Sequence, residues 1–312
     1  MPRAIGVLAA EHLAAGLVEG NKLAGGLTIE GQAGGPGDVL QGAPAESIAQ
    51  NIAELVARIA KAQPGAETEA VGVGFPGIIR EGVIEDSPNL HQMKGFNFRA
   101  ALETALRPLG IAAPVFVSND ADATAAGIAA TSGHLDRFIR VWTLGNGIGF
   151  GHYPWEEGTW EGGHSVVSLD PKENLCGCGG RGHLEGIMGH RAMRLRFLDL
   201  EPEEIFANAK LGEPRCVDFV NLWHRALAAA TATCIHMEGP GKFFVTGPNA
   251  HFIDLTRLDI FLREMVMMSP LQGSFFEVIA TGDEIGVIGA AVNAERHGQD
   301  TRNRGQRTGE RV

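Results

Sequence analysis

The sequence predicts an α/β protein of two domains with a cleft between them. Three observations lead there. The chain has 312 residues, enough for two cores of ordinary size. Its 44% hydrophobic and 20% charged residues are a globular composition, not a disordered one. Short apolar runs alternate with helix-spaced apolar residues in two successive cycles.

In the first cycle Ala4–Leu8, Leu13–Val18 and Lys22–Ile29 read as strands joined by tight connections. A Gly- and Pro-rich loop, Gly31–Gly42, follows. Ile48, Ile52, Leu55, Val56 and Ile59 recur at helical spacing and predict an amphipathic helix from Pro44 to Lys61. Ala70–Gly74 is a buried strand ending in Phe75-Pro76-Gly77, and Phe98–Leu109 a helix. The second cycle runs through strand Val115–Val117, helix Asp120–Thr131 and strands Phe138–Leu144 and Ile148–His152. After a loop-rich insertion come a long helix Val217–Met237, strand Phe243–Thr246 and the apolar helix Ile285–Glu295. The expected domains are 1–118 and 119–284, with helix 285–296 packing back on the first. Residues 297–312 are polar and aperiodic, which predicts a disordered tail.

Charge and cysteine usage exclude several classes. With 26 Lys plus Arg against 37 Asp plus Glu, the net charge of −11 repels a polyanion, so nucleic acid is not an expected partner. No apolar run approaches the roughly 20 residues that a bilayer requires, so no membrane span is expected. The apolar stretch Ile5–Val18 carries Glu11 and His12 and lacks a charged leader, which marks folded protein and not a signal peptide. Four cysteines are too few for a disulfide scaffold, and Cys176 and Cys178 are one residue apart, which points to metal. A cytoplasmic location is the expectation.

Three constellations carry chemistry. In the first, His164, Cys176, Cys178 and His183 offer two thiolates and two imidazoles, a donor set suited to tetrahedral zinc. Four protein ligands leave no open position, so the role is structural; the alternative is a Gly-rich loop with incidental cysteines. Glu161 and Glu185 flank the set, and a metal clip would fix both carboxylates for the vicinal hydroxyls of a sugar. Solvated loop charges are the alternative there. The second is Ser118-Asn119-Asp120, where a strand end opens a helix: a place suited to a general base, though taken alone these residues read first as a helix N-cap. The third is the glycine alternation Gly145-Asn146-Gly147-Ile148-Gly149, which admits close approach to a phosphate or is a ligand-free turn.

Taken in order, these pieces resemble the ROK family of sugar kinases, repressors and open reading frames, within the actin-like ATPase superfamily. The resemblance runs through Gly72–Gly77, Pro88-Asn89-Leu90, Asn119-Asp120, Leu144–Gly151, Glu161–His164, Cys176–Glu185 and Gly282–Ala291. It implies two actin-like (ribonuclease H-like) domains and transfer of the ATP γ-phosphate to a hexose or amino sugar. By that resemblance Asp120 matches the catalytic base. Asn119, Glu161, His164 and Glu185 match hexose-binding positions, with Gly77 and Asn89 nearby. Cys176 and Cys178 match zinc ligands, and His183 stands where the family has a third cysteine. His164 would place one ring nitrogen on zinc and the other toward the sugar. Gly145, Asn146 and Gly147 match a phosphate loop, and Gly247 lies near the adenosine position. Structural zinc, ATP with magnesium, and a homodimer follow from the resemblance.

The departures are on the phosphate side. The family's Asp-x-Gly-Gly-Thr turn reads Leu8-Ala9-Ala10-Glu11-His12, without the Asp, the glycines or the Thr. The family's Gly-Thr-Gly is Gly145-Asn146-Gly147, and Thr246-Gly247-Pro248-Asn249 keeps one glycine of a usual pair. Phosphoryl transfer depends on positioning and charge neutralisation, so this loss bears on activity. Three functions follow: an ATP-dependent sugar kinase, a sugar-binding protein without phosphoryl transfer, and a nucleotide-independent sugar-modifying enzyme using Asp120 with a second carboxylate. The repressor branch is not expected, for want of a helix-turn-helix before Ala4 and for the wrong net charge.

Overall fold

A computed structural model describes residues 3–10, 12–31, 39–62, 67–87, 90–156, 158, 161–280 and 282–309, with side chains to residue 298. The chain forms two compact units. The first is Met1–Ile139, Gly151–Thr159 and Thr281–Val312; the second is Arg140–Phe150 and Trp160–Ala280.

The first unit opens with strands β1 (Arg3–Ala9), β2 (Leu13–Glu19), β3 (Lys22–Leu23) and β4 (Thr28–Glu30). The single strand expected over Lys22–Ile29 is therefore broken in two, around Gly25 and Gly26. Helix α1 (Ala45–Ala62) follows, then β5 (Ala70–Phe75), a small antiparallel sheet of β6 (Ile78–Arg80), β7 (Val83–Asp86) and β8 (Phe96–Asn97), and helix α2 (Phe98–Leu106). Strand β9 (Val115–Asn119) and helix α3 (Asp120–Thr131) complete the run. The main sheet has the order β3-β2-β1-β5-β9, with β1, β5 and β9 parallel. Ile48, Ile52, Leu55 and Val56 of α1 are fully buried against one face of it, as their spacing requires. Burial of such a side chain stabilises by about 2 kcal/mol.

The opposite face takes the last helix of the chain, α9 (Asp283–Gly309). It crosses so closely that a Cβ on Gly6 or Gly72 would lie 1.9 Å from the carbonyl oxygen of Val287 or Ala290. Helix α3 meets α9 in the same way, since a Cβ on Gly289 would lie 1.7 Å from the Ala123 oxygen. This contact corrects the expected boundary at residue 118. Helix α3 belongs to the first unit, because β9 is hydrogen-bonded to β5 and α3 packs its small residues on α9. A second correction concerns the tail: α9 runs to Gly309 where disorder was expected from residue 297. Once the apolar half is seated on the sheet, each added residue gains a backbone hydrogen bond.

The second unit contains β10 (Ile139–Leu144) and β11 (Ile148–Tyr153), whose outer ends belong to the first unit. Helices α4 (Glu185–Met188), α5 (His190–Arg196), α6 (Pro202–Lys210) and α7 (Pro214–Glu238) follow, then β12 (Lys242–Thr246), α8 (Leu255–Met265) and β13 (Phe275–Val278). The sheet order is β11-β10-β12-β13, with β10, β12 and β13 parallel. Glu213 caps α7 by accepting from the Cys216 amide at 2.7 Å, with Pro214 in the first turn. Trp142, Trp223 and Phe243 fill the core. Buried His224 joins α7 to the α8 cap: its Nδ1 donates to the Val220 oxygen at 2.8 Å, and its Nε2 accepts from the Asp254 amide at 2.9 Å. Among the described residues, no helix is long and apolar enough to cross a membrane.

Candidate functional site

In the first unit, parallel strands β5 and β9 end side by side, with Phe75 paired to Asn119. The carboxyl ends of parallel strands are where α/β sheets present ligand-binding groups. Asn119 is the N-cap of α3: its Oδ1 accepts from the Ala121 amide at 2.8 Å, and its Nδ2 donates to the Gly77 oxygen at 3.0 Å. The capping role therefore falls to Asn119, and it ties the Phe75-Pro76-Gly77 turn to the helix start. Gly77 has φ +116, and a Cβ there would lie 2.2 Å from the Asp86 oxygen, so only glycine closes this turn.

Asp120, freed from capping alone, shares the Ala121 amide at 3.0 Å. Part of the residue reaches the surface, yet enough protein surrounds its carboxyl that desolvation raises it above the ordinary aspartate range. The amides of Ala121 and Asp120 oppose the rise. A carboxylate so raised is a stronger base. Asn89 lies outside the described residues.

The β1–β2 turn is closed by other chemistry than the family pattern. The Leu8 methyl groups occupy the crevice between β5 and the first turn of α9, so that a Cβ on Gly286 would lie 2.8 Å from one of them. His12 Nε2 lies 2.8 Å from Asp283 Oδ2, pairing the turn with the start of α9. Glu11 lies outside the described residues. Asp283 entered no sequence motif as a site residue, and no local signal pairs it with a histidine 271 positions away.

In the second unit the four expected ligands converge. One donor atom each from His164, Cys176, Cys178 and His183 lie within 4.8 Å of one another. The separations are 3.3 Å between the two Nδ1 atoms and 3.4 Å between the sulfurs. Cys176 Sγ is 3.5 Å from His164 Nδ1, and Cys178 Sγ is 3.3 Å from His183 Nδ1. With bonds of about 2.3 Å to sulfur and about 2.0 Å to nitrogen, the edges of a zinc tetrahedron run about 3.3–3.8 Å. The donor set therefore fits one tetrahedral ion. Burial and the neighbouring Cys178 and Glu185 groups push the Cys176 thiol up to about 12, so this sulfur ionises only against a cation. Burial first, and then His164, lowers His183, which keeps its ring neutral.

Because His164 faces the cluster through Nδ1, its Nε2 is turned toward Glu161, 3.7 Å from Oε2. Glu185 lies between the cluster and the glycine turn of Gly145, Asn146 and Gly147. Its Oε1 is 3.5 Å from Cys176 Sγ, and its Oε2 accepts from the Ile148 amide at 3.2 Å. The glycine turn is also held from its other side. The Gly145 oxygen accepts from the His190 amide and from Asn249 Nδ2, both at 3.0 Å. Gly247, at φ +97, lies against Leu144, where a Cβ would be 2.5 Å from its oxygen. The sites expected at Gly145–Gly147 and Gly247 are thus one structure, joined by Asn249. Sequence reasoning missed His190 and Asn249; Asn249 follows Gly247-Pro248 at a strand end, a weak signal, and His190 has none.

The ROK family pattern matches residues 39–297, starting after the β1–β2 turn. The chain is 32% identical over 258 residues to a glucokinase of Pyrobaculum calidifontis, covering 77% of this chain and 83% of the relative. It is 29% identical over 284 residues to a glucokinase of Thermotoga maritima, covering 79% and 84%. The crystal structure of a ROK hexokinase from Thermus thermophilus superposes with a TM-score of 0.76 at 26% identity, covering 96% of this chain and 99% of that one. The fold is accordingly α/β with two actin-like ATPase domains.

Proposed function

The chain belongs to the ROK family, and from that premise we propose that it is a sugar kinase. It transfers the γ-phosphoryl group of ATP to a hydroxyl of a hexose or amino sugar. The observation that carries this reading is Asp120, at the end of β9, with its carboxyl raised by desolvation. Asp120 accepts the proton of the sugar hydroxyl as that oxygen bonds to phosphorus and the bond to ADP breaks. By the family resemblance Asn119 and Gly77 of the first unit, and Glu161, His164 and Glu185 of the second, are the residues for the sugar hydroxyls. Gly145, Asn146, Gly147 and Gly247 border the nucleotide. The glucokinase relatives support this class of reaction. His164, Cys176, Cys178 and His183 would hold zinc, which fixes the loop between Glu161 and Glu185 and supplies no reacting group. A cytoplasmic homodimer completes the reading, and light scattering tests the dimer.

Among the described residues of the β1–β2 turn none brings a carboxylate to magnesium: Leu8 stands where the family has its Asp, and Asp283 at the start of α9 is paired with His12. That observation favours a second reading, a sugar-binding protein without phosphoryl transfer. Calorimetry with a panel of hexoses and with Mg·ATP, alongside ADP release, separates the two. Sugar-dependent ADP release that vanishes in Asp120→Ala supports the kinase. Sugar binding without any nucleotide effect at millimolar concentration would overturn it, and sugar turnover without nucleotide would point to the third function.

A further inference from the structure

The Gly145–Gly147 turn and the segment after Gly247 meet at His190, a residue of neither motif. The Gly145 oxygen accepts from the His190 amide and from Asn249 Nδ2, both at 3.0 Å. Glycine at position 189 lets the chain come this close, since a Cβ there would lie 2.7 Å from the Asn146 oxygen. His190 opens α5 half-buried beside the turn, and its Nδ1 lies 3.4 Å from Asn249 Oδ1. Asn249 is 3% exposed, so both ends of its amide need partners, and among the described residues Gly145 and His190 are the two it has.

These contacts fix which ring nitrogen carries hydrogen. A carbonyl oxygen only accepts, so the Asn249 group on Gly145 is the NH2. The group facing His190 is then the amide oxygen, which also only accepts, so Nδ1 is the donor. In the neutral ring Nε2 is left with a lone pair, bonded to nothing among the described residues. A lone pair repels the oxygens of a phosphate and accepts from a hydroxyl. In the kinase reading Gly145–Gly147 borders the phosphates and Gly247 the adenosine, and ribose is the part of the nucleotide between them. We propose that His190 is a specificity residue of this site, accepting at Nε2 a hydrogen bond from a ribose hydroxyl, an assignment that rests on the kinase reading. Asn249 is the positioning residue that holds the ring in the required tautomer.

The test is calorimetry on the full chain loaded with zinc, at about pH 8, where an imidazole is neutral. The probes are ADP, 2′,3′-dideoxy-ADP and inorganic tripolyphosphate, each with magnesium. Wild type should bind ADP roughly three- to tenfold more tightly than the dideoxy compound, the scale of one hydrogen bond. His190→Phe, which keeps a ring but no acceptor, should lose that preference and bind tripolyphosphate as wild type does. His190→Gln, whose side-chain oxygen accepts, should recover part of it. Nitrogen NMR carries the same question should the phenylalanine variant fail to fold. The His190 resonances, assigned by their absence in His190→Gln, should show Nδ1 protonated and Nε2 bare in wild type and a tautomer mixture in Asn249→Ala. The Nε2 signal of wild type should shift with ADP and not with the dideoxy compound. Equal affinity of wild type for the two nucleotides, a preference kept in His190→Phe or absent from His190→Gln, an equal loss of tripolyphosphate, or a hydrogen on Nε2 in place of Nδ1 overturns the assignment and leaves the kinase reading standing. Wild type that binds no nucleotide sinks both, and does so without any variant.

Discussion

The Cys/His cluster of the second unit turns four donor atoms toward one point, whereas the β1–β2 turn of the first unit turns its groups toward each other. At the cluster, His164, Cys176, Cys178 and His183 are spaced as the ligands of one ion would be, and two carboxylates flank them. At the turn, Leu8 fills the crevice beside α9, and His12 and Asp283 satisfy one another. Groups arranged around a ligand gain their partners when it arrives; groups already paired must first break a contact. The difference teaches that donor groups left facing a common point remain open to a ligand, whereas groups closed on each other do not. The cluster keeps its polar atoms convergent, and the turn is closed by Leu8 packing and the His12–Asp283 contact.

The largest effect should come from breaking the cluster. Cys176→Ala, or chelation, is expected to lower stability by several kcal/mol, because metal binding and ordering of the loop are one equilibrium. Thermal unfolding with metal analysis checks it, and a variant as stable as wild type with no bound zinc would show that the four donors do not hold a structural ion. Next comes the base. Asp120→Asn should reduce phosphoryl transfer by roughly 100- to 10,000-fold, the range for a lost general base, while calorimetric sugar affinity stays close to wild type. A parallel loss of sugar affinity would make Asp120 a binding group and weaken the kinase reading.

A pH measurement tests how firmly the core of the second unit is packed away from the cluster. Burial pushes His224 down to about 4 from 6.5, against the help of the Val220 carbonyl. Between those values the unfolded chain binds a proton that the folded chain refuses, so stability should fall as pH drops from about 6.5 to about 4. The total is about 3 kcal/mol. Urea midpoints across this range, compared with His224→Gln, isolate the contribution; identical slopes would show that the histidine titrates freely. The smallest effect is at the turn. His12→Ala should cost within about 1 kcal/mol, as for a part-exposed pair, and should leave sugar affinity unchanged by calorimetry. A change in sugar affinity would mean that the turn and the sugar groups are not as separate as the comparison holds.

Much of this was legible in the chain itself. Ile48, Ile52, Leu55 and Val56 declare the buried face of α1, and Asp120–Thr131 was read as a helix over the residues that form it. The spacing of Cys176 and Cys178 and the flanking histidines pointed to a metal cluster, and those four side chains do converge. These readings rest on residues near one another in sequence, where spacing and chemical type decide geometry. Other features were out of reach. The place of α3 in the first unit depends on a glycine-to-backbone contact with α9, and the polar end of α9 is helical because its apolar start is seated on the sheet. His12 meets Asp283 across 271 positions, and Asn249 reaches Gly145 across 104. Glu185 was visible as a carboxylate near cysteines, but not as the acceptor of the Ile148 amide. The sequence by itself determined the family resemblance, the α/β class and which residue types supply the chemistry. Only the tertiary structure decided which of those residues face a ligand and which are spent on each other, because partners distant in the chain are chosen by how sheets and helices pack, not by local spacing.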